Sequence, residues 1–174
     1  MTDVLEAPIN AFRDGTKQHA ARVGREHQRY DTDGTRLVAG CVPYRVTSTG
    51  CVEVLLITNR KQTHWIIPKG GWELDESATE AAARETYEEA GVVGEVGELL
   101  YQFDHVGKKG AKQEHHYFAL RVEQELDAFP EASQRLRRWL PLAEAQTLCV
   151  RKGMHDAIMA LQRLHAPVAE SKTA

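Results

Sequence analysis

Short runs rich in apolar and β-branched residues, broken by turn chemistry, alternate along the chain with two segments of helical composition. Arg36–Val46 reads as a strand weakened at Pro43, Ser48-Thr49-Gly50 as a turn, and Cys51–Thr58 as the hairpin partner. Trp65-Ile66-Ile67 is a short apolar run stopped by Pro68. Ser77–Ala90 contains neither Gly nor Pro and is dense in Ala and Glu, which predicts a helix. Ser77 with Glu80 three residues on reads as a capping box, and Gly91 stands where a C-cap glycine belongs. Glu98–Phe103 and His115–Val122 read as further strands and Trp139-Leu140 as a last short one. Pro141 opens a brief helix; Met154–His165 is amphipathic, with Ile158, Leu161 and Leu164 on one face. Strands interleaved with two substantial helices give an α/β or α+β fold class. Residues 1–20 read as a loose arm and 166–174 as a frayed tail. That leaves 21–165 as one domain without internal repeat or linker.

At 174 residues, with 42% hydrophobic and 27% charged side chains, the composition is that of an ordinary globular chain, which argues against disorder and fibrous repeats. No apolar run approaches the roughly 18 residues of a membrane helix. Met1–Phe12 carries two acids, no base and no apolar stretch, so it does not read as a signal peptide. Cys41, Cys51 and Cys149 are too few and too far apart for a disulfide framework or a zinc site. A reducing compartment, cytoplasmic and also nuclear, is expected, with secretion open only if a leader has been removed. The net charge of −3 is unevenly spread: residues 1–61 carry +2, residues 73–131 carry −10, and residues 132–174 carry +4. An acidic block between basic flanks asks for an explanation.

Spacing supplies one. Glu85, Glu88 and Glu89 fall at i, i+3 and i+4, so a helix places all three carboxylates on one face. A merely solvated face would relieve them with Lys or Arg at helical spacing, yet Arg84 is the only base on this helix. A hard divalent cation with oxygen ligands is the natural relief, and Mg2+ leaves room for water and a substrate phosphate.

The segment resembles the Nudix box, G-x5-E-x7-R-E-U-x-E-E-x-G-U with U apolar. Gly70, Glu76, Arg84, Glu85, Glu88, Glu89, Gly91 and Val92 supply it, and Thr86 at an apolar position is the sole departure. Seven exact matches arise by chance on the order of once in ten million. The resemblance implies a Nudix fold, an α/β/α sandwich around a mixed sheet, over about residues 36–165. It further implies Mg2+- or Mn2+-dependent hydrolysis of a phosphoanhydride in a substrate of the nucleoside-diphosphate-linked type. On that basis Glu85, Glu88 and Glu89 are the expected catalytic and metal-binding acids, with the Gly71 carbonyl as a further ligand. Gly70, Glu76, Arg84 and Gly91 are expected to build the box, Glu76 and Arg84 by pairing.

The flanks narrow the substrate. Trp65-Ile-Ile-Pro-Lys-Gly-Gly-Trp-Glu73 is similar to the W-x-x-P-K-G-G-x-E opening of the diphosphoinositol polyphosphate phosphohydrolases. Ala21–Gln28 followed by Arg36–Cys41 resembles the fungal members of that group. Such enzymes remove a β-phosphate from inositol pyrophosphates and also cleave diadenosine polyphosphates. Both substrates are dense in phosphate, which suits Arg forks and Lys point charges. Arg22, Arg25, Arg36, Arg60, Lys61, Lys69, Arg138 and Lys152 are the expected substrate contacts, together with His115. Arg137 belongs to the same basic set, and Trp72 is a candidate for stacking on a base. The loop Asp127–Glu131 carries no chemistry that the sequence assigns.

Other readings remain. No proline lies between Pro68 and Pro130, where ADP-ribose hydrolases typically carry one, and the S-Q-P-W-P-x-S array of NADH pyrophosphatases is missing. Dinucleotide polyphosphate or 5′-cap hydrolysis would use the same acids, and a non-catalytic polyphosphate-binding module would keep only the basic flanks. The expected partner is a small-molecule polyphosphate, with no membrane and no nucleic acid beyond a 5′-cap. A monomer is expected.

Overall fold

The computed structural model describes residues 21, 22 and 24–166, so the expected arm and all of the expected tail but Ala166 lie outside the described residues. The elements run β1 (Arg36–Val46), β2 (Val52–Thr58), β3 (Trp65–Ile66), β4 (Lys69–Gly71), α1 (Ala78–Ala90), β5 (Val92–Val106), a 3-10 turn, β6 (Lys112–Glu125), β7 (Arg137–Pro141), α2 (Leu142–Leu148) and α3 (Lys152–Leu164). Seven strands form one mixed sheet in the order β3-β2-β1-β6-β5, with β4 paired to β1 and β7 to β2. The β1–β6 ladder is parallel, and every other ladder is antiparallel.

Alternation along the central strands gives the sheet two apolar faces. Ala39 and Cys41 of β1 and Phe118 and Leu120 of β6 pack with Ala81 and Ala82 of α1. Val42, Tyr117 and Ala119 point the other way, toward Ala145 of α2 and Ala157, Ile158 and Leu161 of α3. This is the α/β/α arrangement expected from the sequence. The free edge of β1 is shared, since Val38–Gly40 pair with β4 and Tyr44–Val46 with β2. Pro43 sits in the gap between those two ladders, where one edge of the strand needs no amide.

Two expectations change. Chain pairing resumes directly after Pro68 as β4, because Gly40 leaves room for it: a Cβ on Gly40 would collide with the Pro68 carbonyl. β5 is 15 residues long rather than the six of Glu98–Phe103. Register shifts between Val93 and Gly94, Val96 and Leu99, and Leu99 and Tyr101 break the alternation by which a long strand is recognised.

Helix α1 begins as expected. Ser77 Oγ accepts from the Glu80 amide at 3.3 Å while the Glu80 carboxylate accepts from the Ser77 amide at 2.6 Å. Gly91 ends it with φ 64°, and a side chain there would also strike Phe129.

Candidate active site

Helix α1 carries its charged box residues inward: Arg84, Glu88 and Glu89 are all buried. Arg84 makes the expected fork, donating from Nε to Glu76 Oε2 at 2.9 Å and from Nη2 to Glu76 Oε1 at 2.6 Å. Its Nη1 reaches Glu85 Oε1 at 2.8 Å and lies 3.5 Å from Glu88 Oε1, and Nη2 also donates to the Gly71 carbonyl at 2.9 Å. Glu76 accepts from the Glu73 amide at 3.0 Å, which closes the loop before the helix. Burial opposes the Arg84 charge, but the Glu76 hydrogen bonds and the Glu85 charge outweigh it and hold the guanidinium protonated more firmly than usual. Gly70 has a steric reason: a Cβ there would fall on the Glu85 carboxylate. Thr86, the departure from the box, is fully buried and satisfies its hydroxyl by donating to the Ala82 carbonyl at 2.7 Å.

Glu89 is held from outside the box. Its Oε2 accepts from the Lys69 amide at 3.0 Å, and its Oε1 pairs with Arg135. Arg135 also donates to Glu131 Oε2 at 2.5 Å and to the Thr58 carbonyl at 2.9 Å, and Arg60 reaches Glu131 Oε1 at 2.5 Å. Glu131 and Arg135 are both buried. They were not among the sequence candidates, although opposite charges at i, i+4 just after Pro130 are a usable signal. Gln28 is a second such residue. Its Nε2 lies within 3.0 Å of the carbonyls of Arg29, Leu37 and Trp72, and its Oε1 accepts from Arg36 Nε at 2.8 Å, which fixes where that cation points.

These side chains line a cleft of about 710 Å3. Glu85, Glu88, Glu89, Gly70 and Gly71 form its wall with Arg22, Arg25, Arg36, Arg60, Lys69, Arg135 and Arg151. Burial pushes the Glu88 and Glu89 carboxyls up to about 7, with the Glu85 charge adding to the rise, and burial raises Glu85 as well. Burial likewise lowers the Lys69 ammonium and the Arg36 guanidinium below their ordinary ranges. Among the described residues Arg25, Arg36, Lys69 and Arg151 show no ion-pair partner, whereas Arg22 is bound to Glu73 and Asp75 and Arg60 to Glu131.

Several expected contacts lie elsewhere. Lys61 and Arg138 are exposed and do not line the cleft; β7 turns Arg137 instead toward Glu125 at 3.2 Å and the Phe129 ring. Lys152 pairs with Asp156 at 2.7 Å and lines a neighbouring cleft, whereas the preceding residue, Arg151, lines the carboxylates' cleft itself. His115 does line the cleft, but as a neutral ring: burial and the nearby Lys69 push it down to about 3. Its Nε2 meets Gln113 at 3.0 Å and its ring stacks on Phe103 at 4.9 Å. Trp72 is committed to the fold, donating to the Glu76 carbonyl at 2.8 Å with Arg29 over its ring. A neighbouring cleft of about 880 Å3 shares Lys69, His115 and Arg151 and is walled by Tyr101, Phe103, His105 and Tyr117.

The donor set suits a hard cation: three carboxylates open on one cleft, and burial drives two of them toward neutrality unless positive charge arrives. Among the described residues no three acidic, His or Cys side chains already converge in coordinating geometry; Arg84 pairs with Glu85 and Arg135 with Glu89. The Gly71 carbonyl is likewise engaged by Arg84, with one lone pair to spare.

Nudix hydrolase 21, chloroplastic, of Arabidopsis thaliana is 45% identical over 144 residues, covering 80% of this chain and 73% of that protein. Diphosphoinositol polyphosphate phosphohydrolase 3-alpha of Mus musculus is 35% identical over 130 residues, covering 72% and 77%. The likeness to fungal members finds no support in these matches. A C. elegans Ap4A hydrolase crystal structure superposes with a TM-score of 0.62 at 24% identity, covering 76% of this chain and 99% of that one. Residues 34–161 match the NUDIX domain, and the chain belongs to the Nudix hydrolase family.

Proposed function

We propose that this Nudix hydrolase removes the β-phosphate of inositol pyrophosphates, with diadenosine polyphosphates as secondary substrates. The observation that carries this reading is the opposition of two sets of charge in one cleft. Three carboxylates stand on α1, and Arg25, Arg36, Lys69 and Arg151 stand around them without ion-pair partners among the described residues. The carboxylates call for a cation, and the unpaired bases call for more phosphate than one anhydride carries. The mouse relative, named for diphosphoinositol polyphosphate, supports the same choice.

Glu85, Glu88 and Glu89 would hold Mg2+ or Mn2+, which supplies charge on the bridging phosphates and lowers the pKa of its water. Water attacks phosphorus and passes its proton to one of the three glutamates, the P–O bond of the anhydride breaks, and the leaving phosphate departs with the bridging oxygen. The Arg25, Arg36 and Lys69 cations orient the remaining phosphates. Arg84 holds Glu85 and Glu76 in place throughout. The reducing cytoplasm and nucleus, expected from the cysteines, remain part of the proposal.

A second reading, a dinucleoside polyphosphate or cap hydrolase, is favoured by the aromatic wall of the neighbouring cleft. Phosphate release from a diphosphoinositol polyphosphate, with Mg2+ and with EDTA, beside diadenosine hexaphosphate and capped RNA, decides between them. Metal-dependent release fastest on the inositol compound is expected. Cleavage of only the nucleotides would hand the site to the second reading. A non-catalytic binding module would show no turnover with any of the three.

A further inference from the structure

Arg135 lies 46 residues beyond the acid it meets and outside the box. Its backbone is bolted to the sheet, because the Thr58 amide donates to the Leu136 carbonyl at 2.9 Å and the Leu136 amide donates to Thr58 Oγ1 at 3.0 Å. The preceding turn is bolted to helix α1, since the Glu131 amide donates to the Glu88 carbonyl at 3.1 Å. Between those anchors the guanidinium has all three of its nitrogens engaged: Nε on Glu131, Nη1 on the Thr58 carbonyl and Nη2 on Glu89. A planar fork held at three corners has no rotational freedom left. Glu89 is thereby gripped on both oxygens, Oε1 by Arg135 and Oε2 by the Lys69 amide of β4.

We infer that Arg135 is a positioning residue that fixes the Glu89 carboxylate in the cleft, and that Glu131 in turn fixes Arg135. The inference rests on the reading of Glu89 as a cation-holding acid. One hydrogen bond per carboxylate oxygen leaves each oxygen a lone pair, so the grip orients Glu89 without consuming it. Charge neutralisation alone would not require the Thr58 and Glu131 anchors. Arg60, half free at the surface, closes over Glu131 and completes the chain of contacts to the turn after β2.

The test measures Mn2+ affinity of the substrate-free protein by electron paramagnetic resonance, with kcat and KM at saturating metal, for Arg135→Ala, Arg135→Lys, Glu89→Gln and the Arg135→Ala/Glu89→Gln double variant. Arg135→Ala is expected to weaken Mn2+ binding and lower kcat by about 10- to 100-fold, the range for partners that orient a ligand. Arg135→Lys should recover little of either, because one ammonium cannot hold three acceptors. The double variant should match Glu89→Gln, since an interaction already removed cannot be lost again. Where Arg135→Ala fails to fold, Glu131→Gln reports instead, with a smaller loss in the same direction. Mn2+ affinity and kcat within twofold of the parent in Arg135→Ala, or in Glu131→Gln, with only the melting temperature lowered, would overturn the inference. So would losses that multiply in the double variant. If Glu89→Gln itself alters neither metal binding nor turnover, the failure belongs to the functional reading instead.

Discussion

Arg84 and Arg135 hold acids of the same helix, and their side chains are equally buried, at 6% exposure each. Arg84 finds Glu76 eight residues away and Glu85 next door. Arg135 finds Glu89 across 46 residues. The first clamp is a product of helix phase and a short loop, so it forms wherever the local segment forms. The second exists only once β2, the turn before β7 and α1 have met. Both set a positive charge against a buried carboxylate, and removing either base leaves that carboxylate without its partner.

The largest effect tests what both clamps serve. Glu89→Gln is expected to lower kcat by about 10²–10⁴-fold while leaving KM for the polyphosphate nearly unchanged, as steady-state kinetics would show. Unchanged kcat would leave the second clamp without a purpose. Next, Arg84→Ala should destabilise the fold by about 3–5 kcal/mol in chemical denaturation, because Glu76 and Glu85 lose their partner in a buried site. A loss under about 1 kcal/mol would show that the local clamp carries less than its geometry suggests.

A third measurement turns from the clamps to the carboxylates they hold. Glu88 and Glu89 sit at about 7 in the fold, against about 4.3 for a free glutamate. A raised carboxyl stabilises the fold fully below the unfolded value, and that contribution is lost as pH rises through 7. Each group is worth up to about 4 kcal/mol. The melting temperature without metal should therefore fall between pH 4.5 and 7.5, and added Mg2+ should restore most at the alkaline end. A gap between metal-bound and metal-free protein that narrows as pH rises would contradict this. The smallest effect is a control on the local side: Ser77→Ala removes the N-cap of α1 and should cost about 1 kcal/mol with turnover intact.

The contrast between the clamps also sorts what could be read in advance. Ser77, Glu80 and Gly91 marked both ends of α1 because each depends on atoms within one or two turns, and the pairing of Glu76 with Arg84 followed from the resemblance to the Nudix box. Gly70 was named but not explained, since its reason is the Glu85 carboxylate lying against it. The fold distributes the expected basic contacts unevenly. Arg25, Arg36 and Lys69 reach the cleft, Lys61 and Arg138 do not, and Arg151 takes the place expected of Lys152. A positive charge in a sequence has no direction until a strand or helix gives it one. Lys152 and Arg151 are neighbours in the chain, yet at the start of α3 one of them turns to Asp156 and the other toward the carboxylates.

The sequence alone therefore determined the helix, its caps, its row of acids and the family that row announces. Those features rest on spacing along a single element, where geometry follows from periodicity. Only the tertiary structure decided that Glu131 and Arg135 line the cleft beside Glu89, that His115 is a neutral packed ring, and which cations face the acids. Each of those outcomes depends on segments far apart in the chain being brought into contact, and on the burial that this contact creates.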